Sequence, residues 1–146
     1  MAKEPVIRKE QGYTVADMGP LDLLHEYTIT SSAGETFSGK VWLKNRIGLT
    51  GTEISYGALP PGAKVPFAHR HHQNEELYIF LSGEGEMRLD DSSVAVKEGT
   101  IVKVDPPVWR GMRNTGTVPL VHLVIQAKAG SLEQSNQHDS EYRPLG

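Results

Sequence analysis

Residues 62–83 read GAKVPFAHRHHQNEELYIFLSG and bring histidines, a carboxylate and an apolar run together in a short space. One residue separates His69 from His71, so on an extended strand both side chains point to the same face. Glu76 opens the next predicted strand, and Tyr78 shares its face. Two imidazoles and one carboxylate are residue types that hold a divalent metal ion and leave coordination positions open. We therefore interpret this stretch as a candidate metal site on successive strands.

Glycine and proline interrupt the chain at short intervals, and short apolar stretches lie between them. This pattern is typical of an all-β sandwich or barrel. The predicted strands cover residues 36–44, 52–59, 76–81, 86–89, 93–96, 100–104 and 118–127. One short helix is predicted over residues 21–27. A length of 146 residues suits a single domain. We divide it into an N-terminal extension (residues 1–35), a β-barrel (36–130) and a polar C-terminal tail (131–146).

The composition excludes several classes of function. The chain has no cysteine, which removes disulfides, thiolate nucleophiles and zinc–thiolate sites, so a metal must be held by its six histidines, by carboxylates or by backbone oxygens. A net charge of −3 disfavours a nucleic-acid-binding protein. The longest apolar run, residues 77–81, is too short to cross a membrane. The first residues lack the apolar core of a secretory signal, so we expect a cytoplasmic protein.

Residues 62–83 resemble the first motif of the cupin superfamily. That motif requires His-x-His, a gap of three or four residues, Glu, six residues and Gly, and His69, His71, Glu76 and Gly83 fit it. The resemblance covers roughly residues 40–127. It implies a double-stranded β-helix, the jelly-roll barrel of the cupins, with a metal pocket at its centre. It also implies that His69, His71 and Glu76 are metal ligands, for Fe, Mn, Zn or Ni.

The second cupin motif is altered at its one ligand. Gly99 and Asn114 stand at its two ends with the expected spacing, whereas Asp105 and Pro107 replace its Pro-x-Gly positions and Arg110 replaces its histidine. Arginine stays protonated and offers only hydrogen-bond donors, so it cannot bind a metal. The metal that the family implies is therefore open to question in this chain.

Arg110 leaves three alternatives. In the first, His69, His71 and Glu76 hold the metal alone or with help from His72 or His122. In the second, Arg110 binds an anionic substrate beside the metal, because its planar fork matches a carboxylate or a phosphate. In the third, the pocket is metal-free and Arg110 pairs with Glu76 to neutralise a buried charge.

Three further side chains bear on the pocket. Tyr78 is expected to line it, with a hydroxyl that could bond a substrate, so Glu76, Arg110 and Tyr78 are our candidate catalytic residues. If Val121 and its alternating neighbours face the barrel interior, His122 faces outward and is no ligand. Trp109 is expected to fill the core or an interface.

We conclude that the sequence predicts a metal-dependent enzyme acting on a small polar or anionic substrate, similar to sugar or sugar-phosphate isomerases or to dioxygenases. The alternative is a non-catalytic cupin that binds a small molecule in a degenerate, metal-free pocket. Neither a nucleic acid nor a membrane is an expected partner. A homodimer is expected, because pairing through residues 27–42 would cover an exposed strand edge.

Overall fold

The computed structural model describes residues 2–146, and nearly all of their regular structure is β-strand. The strands are β1 (Val6–Glu10), β2 (Tyr13–Asp17), β3 (Thr28–Thr30), β4 (Thr36–Ser38), β5 (Lys40–Trp42), β6 (Glu53–Leu59), β7 (Asn74–Ser82), β8 (Glu84–Leu89), β9 (Ser92–Lys97), β10 (Ile101–Val104), β11 (Arg110–Asn114) and β12 (Leu120–Lys128). Short helical turns cover Leu21–Glu26, Lys44–Ile47 and Asn136–His138. The prediction of an all-β fold is confirmed, and the first helical turn lies where the short helix was predicted.

Two antiparallel sheets enclose the main core. One sheet has five strands in the order β10-β7-β12-β6-β5, and the other has three in the order β11-β8-β9. Buried side chains from both sheets meet between them, among them Phe80 on β7, Met87 on β8, Met112 on β11 and Val124 on β12. This sandwich of two sheets is the jelly-roll barrel that the resemblance implied.

The five-stranded sheet is covered on its outer face by the N-terminal extension. Leu24 and Tyr27 are buried there against Val41 and Val121, and the Tyr27 hydroxyl donates a 3.0 Å hydrogen bond to the backbone oxygen of Met18. The extension also forms the β1–β2 hairpin, which we did not predict. The apolar alternation of β6 and β12 therefore serves two cores, one on each face of the sheet.

This second core corrects the prediction for His122. Val121 faces the outer cluster, so its neighbour His122 points into the barrel and is buried. The prediction assumed that the more apolar face of the strand lines the interior. It was wrong because the N-terminal extension supplies an apolar environment outside the sheet as well.

The predicted strand over residues 36–44 is broken at Gly39, which has a φ of 84°. Its N–H donates to the backbone oxygen of Tyr27 and its carbonyl accepts from the N–H of Ala58, both at 2.7 Å. A side chain at this position would overlap the Ala58 carbonyl oxygen. Gly39 thus ends β4 and starts β5, and it sets the direction in which the side chains of β5 point.

Strand β11 escaped prediction because its sequence, RGMRN, is mostly polar. β5 lies at one edge of the five-stranded sheet, within the segment expected to pair two copies of the chain; that homodimer stays a prediction. No helix among residues 2–146 has the length and apolar character needed to cross a lipid bilayer.

Candidate metal centre

Backbone pairing brings the two motif histidines beside β11. The N–H of His69 donates to the oxygen of Arg110 at 3.0 Å, and the N–H of Arg110 donates back at 2.9 Å. His71 continues the same extended run, with its N–H donating to the oxygen of Pro106 at 3.1 Å. The two imidazoles therefore lie on one side of the chain, as their spacing predicts.

Glu76 on β7 completes the group. The distance from His69 Nε2 to Glu76 Oε1 is 3.4 Å, and that from His71 Nε2 to Glu76 Oε2 is also 3.4 Å. One ligand atom from each of the three residues lies within 4.8 Å of the others, a spacing that could hold a metal ion. The predicted convergence of these side chains is confirmed.

The hydrogen bonding of the group fits a metal ion. His71 Nε2 is buried and has no hydrogen-bond partner in the described chain. Glu76 Oε1 accepts from Tyr78 Oη at 2.8 Å and from Arg110 at 2.7 Å, whereas Oε2 accepts no hydrogen bond from residues 2–146. Because a buried polar atom normally finds a partner, a cation held by His71 and Glu76 Oε2 would satisfy His71 Nε2.

The environment keeps Glu76 ionised. Burial raises the pKa of this carboxyl, but the close approach of His69, the hydrogen bond from Tyr78 and the charges of the two histidines outweigh it and lower the pKa to about 2. Burial and the neighbouring carboxylate raise the pKa of Tyr78 far above its ordinary value, so its hydroxyl stays a neutral donor. The centre thus offers an anionic oxygen to a cation at neutral pH.

Arg110 donates hydrogen bonds to two groups of the protein. Its side chain is almost fully buried, NH1 donates to Glu76 Oε1, and NH2 donates to the backbone oxygen of Asp105 at 2.9 Å. The pairing with Glu76 is that of the third alternative, yet it uses only one carboxylate oxygen and leaves the ligand set of the first alternative converged. The Nε of Arg110 is buried and has no hydrogen-bond partner in the described chain.

The group opens onto a cavity of about 910 Å³ between the sheets. Its walls are mainly apolar, and they also carry Lys40 on β5 together with Ser55, His122 and Gln126. Our sequence interpretation missed Lys40 as a cavity residue. The alternation Lys-Val-Trp in residues 40–42 was the available signal, but it could not show which face of β5 is inside.

His122 lines this cavity but lies outside the three-residue group. Its Nδ1 lies 3.2 Å from the backbone oxygen of Leu120, and a side chain at Gly57 would overlap its Nε2. Burial, together with the charge of Lys40, lowers the pKa of His122 to about 3, so the ring is neutral. Glycine at position 57 is thus what makes room for this imidazole.

The other candidates lie at the surface. His72 is exposed and outside the group, so it gives no help to the two motif histidines in this geometry. Trp109 is 46% exposed, and the guanidinium of Arg70 lies 4.7 Å from the centre of its ring. Trp109 therefore does not fill the core, and the other expectation for it, a place in an interface, stays a prediction.

Comparison with known proteins gives one family and several relatives. A profile of the cupin domain family matches residues 55–126. Over 67 residues the chain is 37% identical to an uncharacterized protein of Methanocaldococcus jannaschii and 33% identical to an oxalate-binding protein of Thermotoga maritima. Those stretches are 46% of this chain and 53% and 54% of the two relatives. The chain thus spans about half the length of the curated relatives it matches.

Solved structures show the same fold. A cupin protein from Bacteroides fragilis is 38% identical, with a TM-score of 0.69 over 72% of this chain and 89% of that one. A putative sugar phosphate isomerase from Acidithiobacillus ferrooxidans is 28% identical, with a TM-score of 0.55 over 61% and 58%. A predicted oxalate decarboxylase from T. maritima is 25% identical, with a TM-score of 0.57 over 69% and 90%.

Proposed function

The chain belongs to the cupin family, and on that premise we propose that it binds one divalent metal ion through His69, His71 and Glu76 and acts on a small polar or anionic molecule in the barrel cavity. The buried His71 Nε2 carries the most weight, because it has no hydrogen-bond partner in the described chain and lies 3.4 Å from Glu76 Oε2. The similarity to a putative sugar phosphate isomerase supports an isomerase of that substrate class.

The side chains around the metal centre have different roles. A bound divalent metal would polarise a substrate oxygen and lower the pKa of a water molecule. Tyr78 and Arg110 hold Glu76 Oε1, which orients the carboxylate and leaves Oε2 free. The cavity walls are mainly apolar, and a substrate that fills the cavity would displace water and so strengthen the charge interactions inside it.

Metal content tests the proposal most directly. Protein purified without a histidine tag is expected to hold about one equivalent of a divalent metal by elemental analysis, whereas the His69→Ala/His71→Ala double variant holds almost none. The exposed neighbour provides a matched control, since His72→Ala should keep the metal of the wild type. Negligible metal in both the wild type and the double variant, after incubation with each candidate ion, would contradict the proposal.

A second candidate, non-catalytic binding of a small molecule, is favoured by the ion pair between Arg110 and Glu76. This pair neutralises the buried carboxylate without a metal, and a 33% identical relative is an oxalate-binding protein. Metal-free protein that binds a small acid, with no turnover of sugar phosphates and no oxygen uptake after addition of Fe(II), would favour this candidate. Oxygen uptake that depends on Fe(II) would instead favour a dioxygenase.

A further inference from the structure

Two lysines that the metal centre does not use line the cavity, the exposed Lys64 and the partly buried Lys40. Lys40 on β5 is partly buried and lines the same cavity as His69, His71 and Glu76. Its direction follows from Val41, which is buried in the outer cluster, because successive side chains of a strand point to opposite faces. The Lys40 ammonium also lies 5.6 Å from the centre of the Trp42 ring on the same strand.

No acidic group of residues 2–146 pairs with this ammonium. Every carboxylate there lies more than 4.0 Å from Lys40 Nζ, which also makes no hydrogen bond within that range. The two acids whose charges act on Lys40 through space, Glu76 and Glu53, have other hydrogen-bond partners. Glu76 Oε1 is held by Arg110 and Tyr78, and Glu53 Oε1 accepts from two backbone N–H groups, those of Leu43 and Lys44.

The groups that β6 and β12 present to this cavity are neutral and include hydrogen-bond donors. β6 places Gly57 opposite Lys40, so no side chain of that strand screens it, and the imidazole that fills this space, His122, is neutral. Ser55 and Gln126 line the same cavity. The carboxamide oxygen of Gln126 accepts from Asn74 at 3.0 Å, which leaves its NH2 group as a donor.

A partly buried ammonium without a counter-ion is unfavourable for the folded state. Burial lowers the pKa of Lys40 to about 8, against the opposing fields of Glu76 and Glu53, so the side chain still carries its charge at neutral pH. An anion entering the cavity would remove this penalty, and the gain would appear as binding free energy.

We propose that Lys40 is the anion-recognising residue of the cavity and binds an oxyanion, carboxylate or phosphate, of a small molecule whose opposite end faces His69, His71 and Glu76. This inference rests on the proposed function only for the end of the ligand that faces His69, His71 and Glu76. The negative ligand group is assigned to Lys40 on the β5 wall and not to Arg110, whose NH1 and NH2 groups already donate to Glu76 and to the backbone oxygen of Asp105.

Calorimetric titration with oxalate, malonate, succinate and inorganic phosphate tests this assignment. Metal-free and metal-loaded forms of the wild type, Lys40→Met, Lys40→Arg and Lys103→Met are compared at neutral pH. We expect Lys40→Met to weaken the best probe at least about tenfold, because a buried charge pair is lost. Lys40→Arg keeps the charge, and Lys103→Met changes a lysine that lies on the exposed surface, so both should stay within a few-fold of the wild type.

The pH dependence gives a second readout that a structural role would not produce. At about pH 9.5 the wild type should lose affinity as Lys40 deprotonates, whereas Lys40→Arg should retain it, since arginine stays charged. Glu76 remains ionised and His122 remains neutral over that range, so neither of these facing groups would mimic the change. Circular dichroism and thermal unfolding establish that each variant is folded.

The outcomes separate this inference from the metal proposal. Equal affinities in the wild type and Lys40→Met, or no saturable binding of any probe, would overturn the assignment of Lys40 even if the protein binds its metal. Conversely, anion binding that requires Lys40 in a protein that takes up none of the candidate metal ions would overturn the metal centre and leave the assignment of Lys40 standing.

Discussion

Glu76 presents its two oxygens to different partners. Oε1 accepts from Tyr78 and Arg110, and Oε2 lies 3.4 Å from His71 Nε2. A carboxylate divided in this way is oriented by protein donors on one side and is available to a cation on the other. Replacement of the usual cupin histidine by Arg110 therefore supplies a counter-charge to the carboxylate without enclosing the ligand group.

Arg110→Met should destabilise the metal-free protein. The change leaves the carboxylate of Glu76 buried without its closest cation, and breaking a buried pair costs about 3 kcal/mol. The free energy of unfolding, measured by urea titration, is expected to fall by about that amount. Adding Glu76→Gln should restore part of the loss, because the uncompensated charge is then gone.

Arg113→Met on the same strand is the matched control. Its guanidinium is exposed and pairs with Glu86, so its loss should cost at most about 1 kcal/mol. If Arg110→Met were as stable as Arg113→Met, the ion pair with Glu76 would not have the role we assign to it.

Strands β6 and β12 show how one residue shapes an element. They pair with Gly57 opposite His122, and the imidazole occupies the space that a side chain at position 57 would need. The same glycine leaves Lys40 on β5 unscreened on the cavity side. A position without a side chain at the middle of the sheet thus makes room for two of the cavity's polar groups.

Gly57→Ala should therefore lower the free energy of unfolding by about 2 kcal/mol, because the added methyl group overlaps the ring of His122. In the Gly57→Ala/His122→Ala double variant the overlap is gone, so the two losses should not add. Chemical denaturation of the single and double variants measures the coupling. Gly51→Ala meets no atom within 4 Å and should be nearly neutral; strictly additive losses would contradict the packing described.

For the molecule as a whole, the buried titratable groups make stability sensitive to acid. Burial, with the charge of Lys40, lowers the pKa of His122 from 6.5 to about 3, and the pKa of Glu76 falls from 4.5 to about 2. Between each pair of values the unfolded chain binds more protons than the folded one. The stability that these two groups contribute to the folded state is thus fully present above about pH 6.5 and is lost as the pH falls.

His122→Asn should reduce this acid sensitivity, because asparagine does not titrate. Between neutral pH and about pH 4.5, the metal-free wild type is expected to lose about 2 kcal/mol more of its unfolding free energy than the variant loses. Urea unfolding at several pH values measures both slopes. His25→Asn, at an exposed histidine, should follow the wild type; identical slopes for His122→Asn and the wild type would contradict the assignment.

Local patterns in the sequence were sufficient for the all-β class, for the positions of strands β8 and β9 and for the group of His69, His71 and Glu76. These features depend on turn residues and on the two-residue period of a strand, both of which are short-range. The family resemblance added the barrel type. Only the tertiary structure decided which sheet face is inside, because the N-terminal extension buries the opposite face as well.

That packing is why His122 was assigned to the outside and Lys40 was overlooked. It also decided the role of Arg110, since a guanidinium 34 residues away from Glu76 in sequence can be paired with it only by the arrangement of β7 and β11. The sequence alone identified the residues of the candidate metal site. Their charges, directions and partners were set by long-range burial, which no local period of the sequence encodes.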